Sequence, residues 1–424
     1  MHRALISPRR FRRSSRAERQ EWGSSRGRGA KLDRLRRGVK RTRLRRCLVL
    51  PAALAAALAT AACAHRPRPA PADAGVFWPT YMGNYARTPF LHERVAVEAP
   101  EVVWASSVGS GIQGMPVATD EVIVAARSDK QIETISRIDG TTFWRRRIDG
   151  PPVSPLLIGD VIYTATEEDG RIRAMHLEEG DDVWKRDIPS VKQPITIVGD
   201  TVFAATENRT LLALTSDRDP IWSVRLPRAA SASPVVLDEI VVLAAFDSLF
   251  SLNRSSGVRR GAAHSREIFT GEAAADGQNV YLATEEGSLA AWTTPELEPL
   301  WQASGFGHFF SGPVLADGIG YVTTREGQLL RFDPRTGAAE TLANLKGTVL
   351  AAPIVVENGI LIGTLDGRLC FVSRDGQPIW DVALDGSIEA PVVVHEGRII
   401  VPLFARVGGP LGTGGLRGRL MELR

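Results

Sequence analysis

The sequence has few cysteines and lacks a hydrophobic run long enough to cross a bilayer. Only Cys47, Cys63 and Cys370 occur, which excludes disulfide-rich scaffolds and cysteine-rich zinc sites. The apolar stretch from Cys47 to Ala62 has sixteen residues and contains Pro51, whereas a spanning helix needs about 20 apolar residues. The stretch therefore predicts a secretory leader rather than a membrane span.

The sequence also lacks the common catalytic and metal-binding motifs. It contains no HExxH, P-loop, GxSxG or EF-hand pattern,. The histidines after the leader stand apart along the chain, and acidic triplets such as 167–169 are typical of solvated hairpin turns,. We therefore expect neither an enzyme nor a bound metal or cofactor.

The excess of basic residues is confined to one end. Residues 1–46 hold 18 of the 52 Lys+Arg and only 3 of the 48 Asp+Glu. The remainder of the chain is consequently acidic, with 34 basic and 45 acidic residues. An acidic body repels phosphate backbones, so nucleic-acid binding is not expected.

The leader ends in Thr60-Ala61-Ala62-Cys63, which resembles the lipobox of bacterial lipoproteins and implies lipidation at Cys63. The alternative is an ordinary signal peptide cut near Ala62. We predict a basic extension and signal peptide over 1–62, a lipidated Pro/Ala-rich tether over 63–76, and one domain over 77–424. Because Ala64 rather than Asp follows the cysteine, the resemblance implies an anchor in the outer membrane, with the body on the periplasmic side.

A repeat dominates the rest of the chain. Short apolar runs, most of them led by proline, begin at residues 116, 155, 194, 234, 273, 313, 353 and 391, in steps of 38 to 40 residues,. Each unit continues with two further β-rich runs separated by Gly, Asp or Asn turns. This pattern predicts eight units of antiparallel hairpins.

A fourth strand in most units begins near a tryptophan. Ala174, Gly180 and Trp184 occupy positions 1, 7 and 11 of one segment, and Cys370, Gly376 and Trp380 repeat that spacing. The spacing resembles the tryptophan-docking repeat of quinoprotein-like β-propellers, in which each indole packs against the small residue and a neighbouring blade. The predicted docking residues are Trp104, Trp144, Trp184, Trp222, Trp301 and Trp380.

The chain ends indicate how the ring closes. The last apolar run, Arg419 to Leu423, has no fourth strand after it, while Trp104 lies in a strand-like segment before the first unit. A strand around Trp104 would complete the last blade and leave no free sheet edge. We predict an all-β fold: an eight-bladed propeller of four-stranded antiparallel blades, closed by an N-terminal strand.

The lipobox, the tether and eight blades without a catalytic set together resemble the BamB family, lipoprotein subunits of the machinery that inserts β-barrels into the outer membrane. The segment from Trp104 to Ala118, WASSVGSGIQGMPVA, is similar to the start of that family's first blade. The resemblance implies a non-catalytic, protein-binding scaffold with envelope partners. One departure is the link between blades four and five, around His264 to Gly271, which is shorter than in that family.

Two other functions remain open from the sequence. The chain could be a periplasmic ligand-binding or sensory propeller, or a degenerate relative of the alcohol dehydrogenases that hold pyrroloquinoline quinone and calcium on the propeller axis. The catalytic members carry adjacent bridged cysteines, which this chain lacks.

The candidate partner-binding residues lie in one inter-blade link. Phe306, His308, Phe309 and Phe310 concentrate three aromatic rings there, and aromatic side chains often anchor interfaces. The alternative is that the rings fill space between blades five and six or plug the axis. A second candidate is the Gly-rich insertion from Ala405 to Arg417 in the eighth blade.

The anchor can be tested by Cys63→Ala. Without the acylated cysteine the tether offers no other membrane attachment, so the variant should move from the membrane fraction to the soluble periplasm in cell fractionation. Deleting residues 1–38 should leave export intact, because a complete leader follows. An unchanged membrane fraction for Cys63→Ala would contradict the lipoprotein prediction.

Overall fold

The computed structural model describes residues 90–112, 114–406 and 416–424. The predicted leader, the lipidation site at Cys63 and the tether lie outside the described residues. Within the described part of the chain, no helix is long and apolar enough to cross a membrane.

The described residues form strands joined by short turns and links. In chain order the first half comprises β1 (Phe90–Leu91), β2 (Val102–Ser107), β3 (Val117–Ala118), β4 (Val122–Arg127), β5 (Gln131–Ser136), β6 (Thr142–Arg147), β7 (Leu156–Ile158), β8 (Val161–Ala165), β9 (Arg171–His176), β10 (Asp182–Asp187), β11 (Thr196–Val198), β12 (Thr201–Thr206), β13 (Thr210–Thr215), β14 (Pro220–Arg225), β15 (Val235–Val236), β16 (Ile240–Ala245), β17 (Ser248–Asn253) and β18 (Arg259–His264).

The second half continues the same pattern. Its strands are β19 (Phe269–Ala275), β20 (Asn279–Thr284), β21 (Ser288–Thr293), β22 (Pro299–Ser304), β23 (Val314–Ala316), β24 (Ile319–Thr323), β25 (Gln328–Phe332), β26 (Ala339–Asn344), β27 (Ile354–Val356), β28 (Gly359–Gly363), β29 (Arg368–Val372), β30 (Pro378–Ala383), β31 (Val393–His395), β32 (Arg398–Arg406) and β33 (Leu416–Leu423).

These strands build eight sheets arranged as the blades of a propeller. Blades one to seven each use four consecutive strands, starting with β3–β6, and β1 adds a fifth, parallel strand beside β27 in blade seven. Blade eight has the order β2-β33-β32-β31. The predicted fold and its closure by an N-terminal strand are confirmed.

The burial pattern of the strands explains why the sheets stack around an axis. The inner and middle strands are buried on both faces, as in β4 and β16, whereas the outer strands alternate between exposed and half-buried residues. The apolar side chains of adjacent sheets therefore pack against each other in a set of clusters around the ring. Burial of this apolar surface is the main stabilising term.

The tryptophans join each blade to the next. Trp104 donates its indole N–H to the carbonyl of Arg137 at 2.8 Å and covers Gly140, where a Cβ would lie 2.5 Å from the ring. Trp144 makes the same contacts with the carbonyl of Leu177 and with Gly180. Two further indoles bond to the next blade, Trp222 to Arg254 O and Trp301 to Pro334 O, while Trp380 bonds to Ala96 O in the lead-in.

Blade seven departs from the predicted register. Trp380 pairs with Phe371, and their ring centroids are 5.1 Å apart, while Cys370 pairs with Asp381. The expectation that Cys370 holds the small position opposite the tryptophan is therefore wrong. The turn in this blade is one residue shorter than in blade two, where Ala174 pairs with Trp184.

Two blades lack the tryptophan, and backbone takes its place. In blade four the residue is Gly261, where a Cβ would lie 2.4 Å from the carbonyl oxygen of Pro295 in the next blade. In blade six Thr341 is exposed, and the neighbouring Gly376 instead approaches the carbonyl of Leu342.

A buried ion pair reinforces the closure. The carboxylate of Glu422 accepts hydrogen bonds from Trp104 Nε1 and from Arg137 Nε, both at 2.9 Å, and Glu422 has no exposed surface. Because removal of one partner would leave a buried charge unpaired, this contact fixes β2 against β33 and blade one.

The indole contact can be isolated with two glycine substitutions. Gly140 (φ 71°) lies beneath Trp104, whereas Gly159 (φ 57°) has nothing within 4 Å of a Cβ. Both changes to alanine incur the cost of a left-handed alanine, about 1–2 kcal/mol. Gly140→Ala should lose about 1–3 kcal/mol more, because the indole must move. Equal losses of unfolding free energy in urea would contradict this docking role.

Candidate binding face and axial cavity

The propeller has two faces, which differ in the connections that they carry. The link face carries the links between blades together with the turns that join second and third strands. The turn face carries the remaining hairpin turns and receives the N-terminal lead-in. On the turn face Glu93 and Asp120 lie 3.2 and 2.7 Å from the two ring nitrogens of His395, so the lead-in is clamped between blades eight and one.

The aromatic link between blades five and six contains both buried and exposed rings. Phe309 has no exposed surface, forms a bridge with Thr324 and belongs to the apolar cluster of blades five and six. Phe306 packs against the same cluster. Only Phe310 is substantially exposed, at 41%, with the guanidinium of Arg325 5.3 Å from its ring centroid. The prediction that Phe309 contacts a partner does not fit this burial, because the ring fills space between blades.

His308 lies at the surface beside these rings. Its Nδ1 is 2.9 Å from Glu326 Oε1, and its backbone N–H donates to Glu326 Oε2 at 3.2 Å. Partial burial alone would raise the pKa of Glu326, but the hydrogen bonds from His308 outweigh it and hold that pKa below its ordinary value. His308 therefore orders the link around a carboxylate.

Sequence reasoning missed a second exposed ring, Phe246. It occupies the tip of the hairpin between β16 and β17 with φ 58° and is 42% exposed, with Arg228 stacked 5.6 Å from its centroid. A bulky residue in this left-handed conformation is strained. The signal was present in the sequence, since phenylalanine replaces the Gly, Asp or Asn typical of such turns.

Phe246, Ile268 and Phe310 form what we call the apolar sector. Ile268 is 37% exposed and lies in the link between blades four and five. The backbone N–H of the next residue, Phe269, donates to the carbonyl of Phe246 at 2.9 Å. Three exposed apolar side chains thus occupy neighbouring blades on the link face. The link that carries Ile268 is only four residues long, residues 265–268.

Blade eight projects further on the link face than the other blades. Its hairpin strands β32 and β33 have nine and eight residues and stay paired up to Arg406 and Leu416. Most of the predicted Gly-rich insertion, residues 407–415, lies outside the described residues. The base of the hairpin is fixed by Ser387, whose backbone exchanges two hydrogen bonds with Phe404.

A cavity of about 480 Å³ opens on the propeller axis at the link face. About half of its described lining residues are glycine, alanine or serine, and Phe310 and Phe404 contribute aromatic rings. Among the described residues, the charged ones in its lining are Glu272 and Glu389. At the opposite end of the axis, β1 lies along β27.

The other described residues offer few groups suited to metal binding or nucleophilic catalysis. No group of three or more His, Cys, Asp or Glu side chains within them is placed to hold a metal ion. Cys370 is buried, and burial raises the pKa of its thiol above the ordinary value. A thiol with a raised pKa is a poor nucleophile.

Comparison with known proteins agrees with this architecture. A family model described as "Outer membrane protein assembly factor BamB" matches residues 95–194, 168–267 and 248–385. The chain belongs to this family.

Relatives resemble the chain in part of its sequence and in most of its fold. An outer membrane protein assembly factor BamB from Shewanella oneidensis is 33% identical over 113 residues, which is 25% of this chain and 28% of that relative. The other curated relatives from the BamB family match over 30% and 34% of their own lengths. The matched segments thus span about a third or less of these relatives.

Solved structures align with a larger part of this chain than the sequence matches do. The crystal structure of BamB from Moraxella catarrhalis aligns with a TM-score of 0.61 at 17% identity, covering 76% of this chain and 98% of that one. Quinohemoprotein alcohol dehydrogenase from Comamonas testosteroni aligns with a TM-score of 0.66 at 11% identity, covering 83% and 81%. At these identities the likeness concerns the fold alone.

The described lining of the axial cavity in this BamB-family propeller does not match the charge of the quinone of quinoproteins. Pyrroloquinoline quinone is a tricarboxylate and needs cationic side chains around it. The described lining of the axial cavity contains two glutamates and no lysine or arginine.

The two adjacent phenylalanines provide a matched test of the link. Phe309→Ala should lower the unfolding free energy by about 3–5 kcal/mol, because it opens a cavity in a packed core. Phe310→Ala should change it by less than about 1 kcal/mol, because the ring is largely at the surface. Urea unfolding of both variants measures the difference. Comparable losses would show that Phe310 is also a core residue.

Proposed function

We propose that this protein is a non-catalytic lipoprotein of the outer membrane that scaffolds the assembly of β-barrel proteins from the periplasmic side. Membership of the BamB family supports this role, and so does the poor fit of the axial residues to a quinone. The proposal extends to the whole chain the outer-membrane assembly role for which its relatives are named.

The observation that carries the proposal is the apolar sector on the link face. Apolar side chains that remain exposed on a folded surface often mark an interface, and aromatic anchors commonly dominate its energy. Phe246 is strained as well as exposed. A phenylalanine with φ 58° lowers the stability of the turn, whereas a glycine adopts this conformation without strain,. The neighbouring Arg228 and Arg325 can supply polar contacts at the rim,.

The described part of the lead-in contacts blade seven, and the predicted tether before it is long. Phe90 and Leu91 pair with blade seven near the axis, and Asn358 fixes Val95 by hydrogen bonds of 3.0 and 2.8 Å on the turn face. The predicted anchor at Cys63 precedes Phe90 by 27 residues. An extended chain of that length reaches roughly 90 Å at ~3.4 Å per residue. A tether of that length lets the link face of an anchored propeller reach a partner.

The test is co-purification from native envelopes with Phe246→Ser/Phe310→Ser as the variant. Ile138→Ser/Val258→Ser is the matched control, because these residues are 77% and 60% exposed on the turn face. Mass spectrometry should identify subunits of the β-barrel assembly machinery with the wild-type protein and the control. The link-face variant should retain less than a tenth of them, equivalent to about 1.4 kcal/mol.

Two results would overturn the proposal. The first is a wild-type preparation in which no assembly subunit is enriched over an unrelated lipoprotein. The second is equal capture by the link-face variant and the control, with both variants unfolding at the wild-type midpoint.

A further inference from the structure

The direction of β1 indicates where the chain before it runs. The first strand of each blade follows a link on the link face and ends at a turn on the turn face. β1 pairs in parallel with β27, the first strand of blade seven, with Phe90 opposite Val355. β1 therefore also runs from the link face towards the turn face. The chain that precedes Phe90 enters β1 from the link-face side.

The axial cavity lies at the link-face end of β27. Leu350, Ala351 and Ala352 line the cavity and belong to the link that leads into this strand. Only Pro353 separates Ala352 from the start of the strand at Ile354, so the cavity begins about 7 Å before β27,. β1 also lies against β23 of blade six, which places it at the axis. The cavity and β1 thus lie along the same strand edge.

The inner edge of β27 can accept more chain than β1 provides. The first strand of a blade faces the axis with an edge that has no neighbour in its own sheet, and among the described sheets that of blade seven has a fifth strand there. An unpaired edge offers backbone N–H and C=O groups to an extended chain. Pro89 disfavours a helical conformation for Thr88 before it, so the sequence favours an extended approach to β1,.

The residues before β1 have a composition that suits the cavity. We call residues 77–89 the upstream segment; they lie outside the described residues. Their sequence, FWPTYMGNYARTP, holds four aromatic residues: Phe77, Trp78, Tyr81 and Tyr85. The cavity lining contributes Ile112, Leu350 and the rings of Phe310 and Phe404, and burial of aromatic side chains against apolar ones is favourable. Thirteen residues reach roughly 44 Å at ~3.4 Å per residue, enough to pass through the cavity to its mouth.

We propose that the upstream segment of this same chain occupies the axial cavity. It runs back from Phe90 beside β27 and leaves the propeller at the link face. At the register of β1, Arg87 lies opposite Ala352 at the wall of the cavity. Tyr85 follows inside the cavity, against its aromatic lining.

This path gives the tether an exit beside the apolar sector. Phe310 belongs both to that sector and to the cavity lining. The predicted anchor at Cys63 precedes Phe77 by 14 residues, a reach of roughly 48 Å at ~3.4 Å per residue,. The link face is then the face held towards the membrane. This consequence rests on the predicted anchor, whereas occupancy of the cavity does not.

Engineered disulfides test the path of the segment. In the full chain carrying Cys63→Ser, Arg87→Cys is combined with Ala352→Cys or with Glu357→Cys, which lie beyond the two ends of β27. Neighbouring strands lie about 4.8 Å apart, within the range of about 4.4–6.8 Å between Cα atoms that a disulfide requires. Oxidation with diamide should link position 87 to position 352 within one molecule, and should not link it to position 357. Mass spectrometry of the digest identifies the linked peptides.

Labelling of the cavity is a second measurement that does not depend on the engineered pairs. Glu389→Cys places a thiol at an exposed position of the cavity lining. Its reaction with a maleimide should become at least fivefold faster when residues 77–88 are replaced by a Gly/Ser sequence of the same length, because the segment no longer covers it. Glu285→Cys, exposed on the link face but outside the cavity lining, is the control and should react equally fast in both chains.

A link from position 87 to position 352 within one molecule, together with faster labelling of Glu389→Cys after the replacement, supports the proposal. It is overturned if position 87 links to position 357 or to neither position in variants that unfold at the wild-type urea midpoint. It is also overturned if the link joins two molecules, which would place the segment in a second copy, or if the replacement leaves labelling unchanged. None of these measurements involves the assembly machinery, so this proposal and the proposed function fail separately.

Discussion

The contact between a tryptophan of one blade and the turn of the next is the constraint on which the ring depends. Four tryptophans donate the indole N–H to a carbonyl and cover a glycine with the ring, so each fixes both the distance and the angle to its neighbour: Trp104, Trp144, Trp222 and Trp301,. Trp144 and Gly180 show the arrangement between consecutive blades. Trp104 applies it between the first and last parts of the chain, where the buried Glu422 accepts a second bond from the same indole.

Much of this architecture could be predicted because each repeat is encoded by a short, continuous segment of the sequence. Steps of 38 to 40 residues, β-rich runs and recurrent tryptophans specify blades, and the missing fourth strand at the C-terminus specifies closure. The spacing along the sequence did not, however, specify which residues pair between neighbouring strands. In blade seven a shorter turn moved Trp380 opposite Phe371, so the assignment made from spacing alone placed Cys370 one residue away from the contact.

The binding face was harder to predict because exposure depends on packing between blades. Phe309 and Phe310 are adjacent and chemically identical, yet one is fully buried and the other 41% exposed. Phe246 stands where such hairpin turns usually carry Gly, Asp or Asn, but only its position at the hairpin tip shows both its exposure and its strained backbone. The axial cavity likewise assembles from links far apart in the chain.

The central claim is that the link face, and not the turn face, meets the partner. Site-specific photo-crosslinking in living cells tests this most directly, with a photoreactive phenylalanine placed at Phe310 or at Ile138 in turn. The account predicts an adduct with a subunit of the β-barrel assembly machinery from position 310 and none from position 138. Adducts with that machinery from position 138 alone would contradict it.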